Sequence, residues 1–153
     1  MTPLAELALK IAASNIGRKE ATGNNDGPFV KMLQLLAVDG GHSMDNEPWC
    51  AMHATYCIQQ AAAELKLISK IPLNPSSTSI YAFAKAHGLL MTSPAPGCIG
   101  LIKAPTGSGK THDHTFLVYG VEDGYVDSTD GNWNNQVMQT KHKITDCDFV
   151  LIV

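Results

Sequence analysis

The sequence predicts an α+β domain, with helices first and an antiparallel sheet second. Two observations predict it. Up to His87 the apolar residues recur at helical spacing, and from Cys98 onward they gather into short runs parted by turn residues. Scale is a third observation: 153 residues with 44% hydrophobic content supply one core and are too few for two ordinary domains. No repeat, low-complexity tract or linker divides the chain, so one domain over residues 1–153 is expected.

Thr2 and Pro3 suit the cap and first turn of a helix, and Leu4, Leu7, Ala8, Ile11 and Ala12 give it one apolar face until Asn15 and Gly17. The Gly- and Asn-rich segment from Gly17 to Gly27 reads as a surface loop. Asp26 is placed to cap a second helix with Pro28 near its start, Phe29, Val30, Leu33, Leu36 and Ala37 as its buried stripe, and Gly40-Gly41 as its stop. Asp45, Asn46, Glu47 and Pro48 announce the longest helix, Trp49 to Leu67, rich in good helix formers. A short helix from Ser79 to His87 ends at Gly88, the expected left-handed stop. Strands are expected at Cys98–Lys103, Thr115–Tyr119, Gly124–Asp127 and Phe149–Val153, with Gly120 to Gly124 as a hairpin turn.

Charge excludes several functions. Eleven Lys and Arg against 14 Asp and Glu give a net charge of −3, which offers no grip on a phosphate backbone or an anionic membrane. No apolar run reaches the ~18 residues that cross a bilayer, and the N-terminus lacks a basic segment followed by a long apolar one. A soluble chain made in the cytoplasm without a signal peptide is expected, with no nucleic acid partner and no membrane insertion. The four cysteines form no CxxC pair and read as reduced thiols.

A thiol becomes a nucleophile where its thiolate is stabilised, and unpaired N–H groups at the start of a helix do that. Cys50 is placed for it. It shares a helix face with Ala54, Cys57 and Ala61, small residues that permit close packing on a sheet. A general base must then come from a facing strand end, and His114 stands immediately before the apolar run Thr115–Tyr119. The next strand delivers Asp130 and, two residues on, Asn132, either of which could hold the imidazole. Cys57, Cys98 and Cys147 read as small buried hydrophobes, and His42, His87 and His142 as surface histidines. His112 with His114 would make a metal pair on one strand face, but no third ligand follows at recognisable spacing, so no metal is expected.

Pro48-Trp49-Cys50-Ala51 opening a helix, Asp113-His114 opening a strand and Asp130-Gly131-Asn132 closing the next resemble the CHAP family of cysteine, histidine-dependent amidohydrolases and peptidases. The Glu20 to Gly27 loop is similar to the N-terminal segment of such domains. The resemblance implies a papain-like fold, N-terminal helices packed on a C-terminal antiparallel sheet. It makes Cys50 the nucleophile, His114 the base and Asp130 the orienting residue, with Asn132 a fourth polar member. It also implies a substrate groove near Trp49, Trp133, Glu20 and Asn25, although Trp49 also reads as core. The implied activity is cleavage of amide bonds in bacterial peptidoglycan, by an N-acetylmuramoyl-L-alanine amidase or endopeptidase of phage-endolysin type.

Such an enzyme would be a monomer without cofactor or separate wall-binding domain. It would reach the periplasm or the outside only after release by another component such as a holin. A closely related alternative is an antibacterial amidase toxin delivered into a competitor. The sequence departs from the family in having Asp113 where Gly usually precedes the histidine and Thr115-Phe116 where small residues follow it. Some members carry a calcium loop before the cysteine; here only Asp45 and Glu47 alternate, after Gly41 and Ser43, and no calcium is expected.

A second motif competes. Ala104-Pro105-Thr106-Gly107-Ser108-Gly109-Lys110-Thr111 matches a relaxed phosphate loop, which would make the chain a nucleotide-binding protein. A phosphate loop works together with the N-terminus of the helix after it, and the residues after Thr111 form a strand pattern. The segment is therefore expected to be a hairpin loop bordering the site. A third reading is a binding module that keeps the hydrolase fold without its activity.

Overall fold

Thr2 opens the first helix by accepting a hydrogen bond at Oγ1 from the Ala5 N–H, with Pro3 in the first turn, where its missing donor leaves nothing unpaired. In the computed structural model, which describes residues 1–37 and 43–153, four helices precede six strands. The helices are α1 (Pro3–Ser14), α2 (Pro28–Leu36), α3 (Cys50–Glu64) and α4 (Ser77–Ala86). The strands are β1 (Leu90–Met91), β2 (Cys98–Lys103), β3 (His112–Glu122), β4 (Tyr125–Trp133), β5 (Gln136–Lys143) and β6 (Cys147–Leu151). They form one antiparallel sheet in the order β1-β6-β2-β3-β4-β5. Among the described residues no helix is long and apolar enough to cross a membrane.

One face of the sheet carries the helices. Ile99, Leu101, Leu117 and Val150 pack against Ala8 and Ala12 of α1, Ala54, Ile58 and Ala61 of α3 and Ile80 of α4. The small residues predicted for one face of α3 are buried there, and they let the helix lie close. Gly131 of β4 belongs to the same contact: a Cβ on it would fall 2.6 Å from Cβ of His53 on α3. Cys98, Phe116, Val118, Val126, Cys147 and Phe149 form the core of the other face, where Phe116 lies across Gly100.

The structure departs from the expected elements in ways that have physical causes. Asp26 does not cap α2. Its carboxylate turns back to accept from the N–H and hydroxyl of Thr22, and Gly27, with φ 101°, stands at the helix start instead. Leu36 is exposed rather than buried, because α2 ends before its stripe completes another turn against the core, and Gln34 takes an inward position. Gln34 bonds to the carbonyls of Asn25 and Glu47. The Gly40-Gly41 stop and His42 lie outside the described residues. The third helix is shorter than expected, starting at Cys50 and ending at Glu64.

Strands β3 and β4 extend through the expected turn until only Asp123 and Gly124 remain between them, both with positive φ. β3 also starts earlier, so His114 lies within the strand instead of just before it. β1 and β5 have no counterpart in the expected elements. β5 is an edge strand bearing Lys141 and Lys143, and its charges mask the inward positions of Val137 on the helix-bearing face and His142 on the other.

His53 illustrates how tightly α3 meets the sheet. It is fully buried, its Nε2 lies 3.3 Å from Asn15 Nδ2, and its Nδ1 has no partner among the described residues. Burial pushes its pKa down to about 4. The unfolded chain protonates this imidazole near its ordinary value and the folded chain does so only near 4. The contribution is therefore intact above the ordinary value and is lost as pH falls through that window. Urea unfolding of wild type and His53→Gln at pH 7 and pH 4 should give an acid loss about 3 kcal/mol larger in wild type.

Candidate active site

Cys50 is the first residue of α3, so its thiol meets first-turn N–H groups that have no partner inside the helix. The helix start is fixed from behind. The Trp49 indole is fully buried and donates to Glu20 Oε1 at 2.9 Å, while Glu20 Oε2 accepts from the Asn25 N–H at 3.0 Å. Trp49 and Glu20 therefore do not line a groove as expected. They form a buried bracket that ties the 20–25 loop to the helix start, because a sequestered carboxylate needs donors and the indole and amide supply them.

In front of Cys50 lies an open hollow of about 470 Å³, bordered also by Pro48, Pro75, Ser77, Lys110 and His112. Its α4 wall is fastened to β3: Ser77 Oγ and Thr115 Oγ1 are 2.6 Å apart, and Thr78 Oγ1 donates to the His112 carbonyl at 3.0 Å. Asn25 borders a separate hollow of about 520 Å³ beside Lys31 and Asp45, away from Cys50.

The His114 ring stands beside the Cys50 thiol on one side, and its Nε2 lies 2.7 Å from Asp130 Oδ2 on the other. With Nε2 on Asp130, Nδ1 is the ring nitrogen left for the thiol. Pairing of Phe116 with Asp130 across β3 and β4 puts His114 and Asp130 on one face as diagonal neighbours. Asp130 is wholly buried, and Ser128 Oγ donates to its Oδ1. Trp133 packs on His114 with ring centroids 5.0 Å apart.

Asn132 is not brought to the imidazole. The β4–β5 register shifts between Asp130 and Trp133, Asn132 takes φ 55°, and its Nδ2 donates to Asn25 Oδ1 at 3.3 Å. The left-handed residue breaks the alternation that would have kept it on the side of Asp130. Of the two groups open to the imidazole, Asp130 is the one in contact.

Electrostatics follow from these contacts. Burial would push the Cys50 thiol up, but His114 and the N–H groups of Thr115 and Ala51 outweigh it and hold the thiol below the ordinary cysteine value. Burial would lower His114, but the hydrogen bonds to Asp130 and Cys50 raise it to about 9. Asp130 is held below the usual carboxylate range despite its burial, by hydrogen bonds from His114 and from His142. All three shifts run in the direction that favours a thiolate–imidazolium pair over a buried carboxylate. The other cysteines go the opposite way: burial pushes Cys57 and Cys147 up to about 12 and Cys98 to about 11.

His142 joins the cluster around Asp130. Expected at the surface, it is buried, and its Nε2 lies 2.7 Å from the same Asp130 Oδ2. One sequence signal could have placed it. Asn134 and Asn135, both with positive φ, are a two-residue hairpin loop that sends the chain back beside β4. The expected pair His112 and His114 turn to different carboxylates, His112 Nε2 lying 2.9 Å from Asp148 Oδ2.

His114, Asp130 and His142 offer ligand atoms within 4.8 Å of one another. Both His–Asp contacts of 2.7 Å are shorter than the roughly 3.3 Å between two ligands of a tetrahedral zinc ion. The geometry is that of hydrogen bonds. The 104–111 segment is a hairpin loop closed by Ala104 N–H to the Thr111 carbonyl, and β3 follows it directly. The helix N-terminus that a phosphate loop requires is not there.

No protein-family model matches the chain, and no curated protein matches it. Among solved structures it is similar to Ly7917, with a TM-score of 0.55 and 14% identity over 96% of this chain. It is equally similar to the structure of Ly7917 with the hydrolyzing product of MDP, with a TM-score of 0.54 and 13% identity. The chain spans 62% of the length of that protein. At this identity the likeness establishes a shared fold.

The thiol electrostatics predict a selective alkylation pattern. Iodoacetamide should label Cys50 at pH values below the ordinary thiol range and leave Cys57, Cys98 and Cys147 unlabelled until the chain is unfolded, as read by peptide mass spectrometry. In His114→Ala the burial of Cys50 is opposed only by the N–H groups of Thr115 and Ala51, so its labelling should move to higher pH than in wild type.

Proposed function

We propose that the protein is a cysteine hydrolase of bacterial peptidoglycan amide bonds, of the endolysin type. The single observation that carries this reading is the chain of contacts Cys50–His114–Asp130, beginning at a helix start on an open hollow. Ly7917 supports the substrate class, since a structure of that protein holds the hydrolyzing product of MDP, the usual short form of muramyl dipeptide.

The Cys50 thiolate attacks an amide carbonyl carbon, forming a C–S bond, and the oxyanion meets the free N–H groups at the start of α3. His114 then gives its Nδ1 proton to the departing amine as the C–N bond breaks. Water enters the hollow, His114 takes its proton, and hydrolysis of the thioester returns the thiolate. Asp130 stays ionised throughout and holds the ring with Nδ1 toward sulfur. Trp133, packed on His114, shields the ring from one side.

Digestion of purified peptidoglycan tests the proposal. Wild type should release fragments, Cys50→Ala should lose at least roughly a thousandfold in rate, and Cys98→Ala should retain activity. Free stem peptides would assign the sugar–peptide amide, and uncrosslinked muropeptides an endopeptidase. Undiminished digestion by Cys50→Ala would overturn the reading.

A further inference from the structure

The hydrogen bonds around Asp130 carry more than the nucleophile and base require. A carboxylate that only orients an imidazole needs one oxygen for it. Asp130 Oδ2 is shared by two ring nitrogens, Nε2 of His114 and Nε2 of His142, each at 2.7 Å, while Ser128 Oγ donates to Oδ1. His142 comes from β5, the edge strand, and reaches along the strand direction past the Ser128 and Thr140 pair. Phe116 stacks on its ring with centroids 4.3 Å apart, and Trp133 stands edge-on at 5.0 Å to both histidines. The ring plane of His142 is therefore set by packing, and its one polar contact through Nε2 is Asp130.

We propose that His142 is a positioning residue, whose Nε2–H fixes the Asp130 carboxylate so that Oδ2 presents itself to His114. This rests on the cysteine-hydrolase reading for its catalytic consequence. The physical basis is geometric. With Oδ2 held from β3 and from β5 at once and Oδ1 held by Ser128, the carboxylate cannot follow a swing of the His114 ring, so the imidazole keeps its other nitrogen toward Cys50. Without His142, Oδ2 keeps only the His114 contact and the carboxylate can turn with that ring, loosening the aim of the base. A buried donor from an edge strand also has a second effect. It keeps Asp130 ionised, because a carboxylate with one fewer donor in a dry site takes up a proton more readily. The ionisable groups whose fields meet at Asp130 are His114 and Tyr119 of β3, His142 of β5, His53 of α3 and Cys147 of β6.

Two substitutions separate positioning from packing. His142→Phe keeps a ring to stack on Phe116 and removes the donor; His142→Gln keeps an N–H donor at a similar reach. The expected result is that His142→Phe lowers kcat at least roughly tenfold with KM unchanged and moves the pH midpoint of Cys50 alkylation upward, while His142→Gln restores most of both. A His142→Phe variant with unaltered kcat and alkylation midpoint overturns the proposal, and so does a Gln variant as impaired as Phe, which would make the role one of packing. If His142→Phe fails to fold, ring ¹⁵N NMR of the wild type decides: a protonated, hydrogen-bonded Nε2 on His142 is required, and an unprotonated Nε2 overturns the proposal. The alkylation and NMR readouts need no substrate, so absence of Cys50-dependent peptidoglycan cleavage in wild type would defeat the hydrolase reading while these still judge His142.

Discussion

Asp130 has no exposed surface, and a carboxylate removed from water stays ionised only where donors replace its hydration. Three strands supply them: Ser128 from its own strand β4, His114 from β3 and His142 from β5. This requirement constrains the sheet around the site. Pairing of Phe116 with Asp130 fixes the register of β3 on β4, and a slip by one residue would turn His114 away from the carboxylate. Gly131, next to Asp130, lets α3 approach within contact of the strand. The charge that raises His114 and the helix that carries Cys50 are thus held by neighbouring residues of β4.

The helix layer meets that constraint from the other side. The indole of Trp49 and the carboxylate of Glu20 pin the residue before Cys50, and Ser77 and Thr78 of α4 pin β3. Two rigid attachments therefore fix the thiol and the imidazole independently, and the contact between them is set by the fold more than by their own attraction. Sites held this way maintain reactive geometry without further reorganisation on substrate entry. Placement of Cys50 at the rim of an open hollow gives the thiol access while His114 stays largely dry.

Much of this was legible in the residues. The cap at Thr2, the Gly88 stop and the small-residue face of α3 are local signals, and the helices follow them. Cys50, His114 and Asp130 could be ordered along the chain because Cys50 opens a helix and the other two fall in successive strand segments. What stayed hidden depends on pairing between strands. Asn132 looked equivalent to Asp130 by period, and only a left-handed backbone at the register shift separates them. His142 looked like a surface residue because it sits between two lysines on an edge strand, and its burial comes from Phe116 and Trp133, distant in sequence. Trp49 and Glu20 were read toward a groove because a bracket between them is invisible until the loop folds over the helix start.

The account turns on His114 being an imidazolium held between a thiolate and a buried carboxylate. Ring ¹⁵N NMR of His114, followed from pH 5 to pH 10 in wild type and in Asp130→Asn, measures this directly. The account predicts that the wild-type ring keeps both protons to about pH 9 and that Asp130→Asn loses one at clearly lower pH. A wild-type His114 that titrates near the ordinary imidazole value, indifferent to Asp130→Asn, would contradict it.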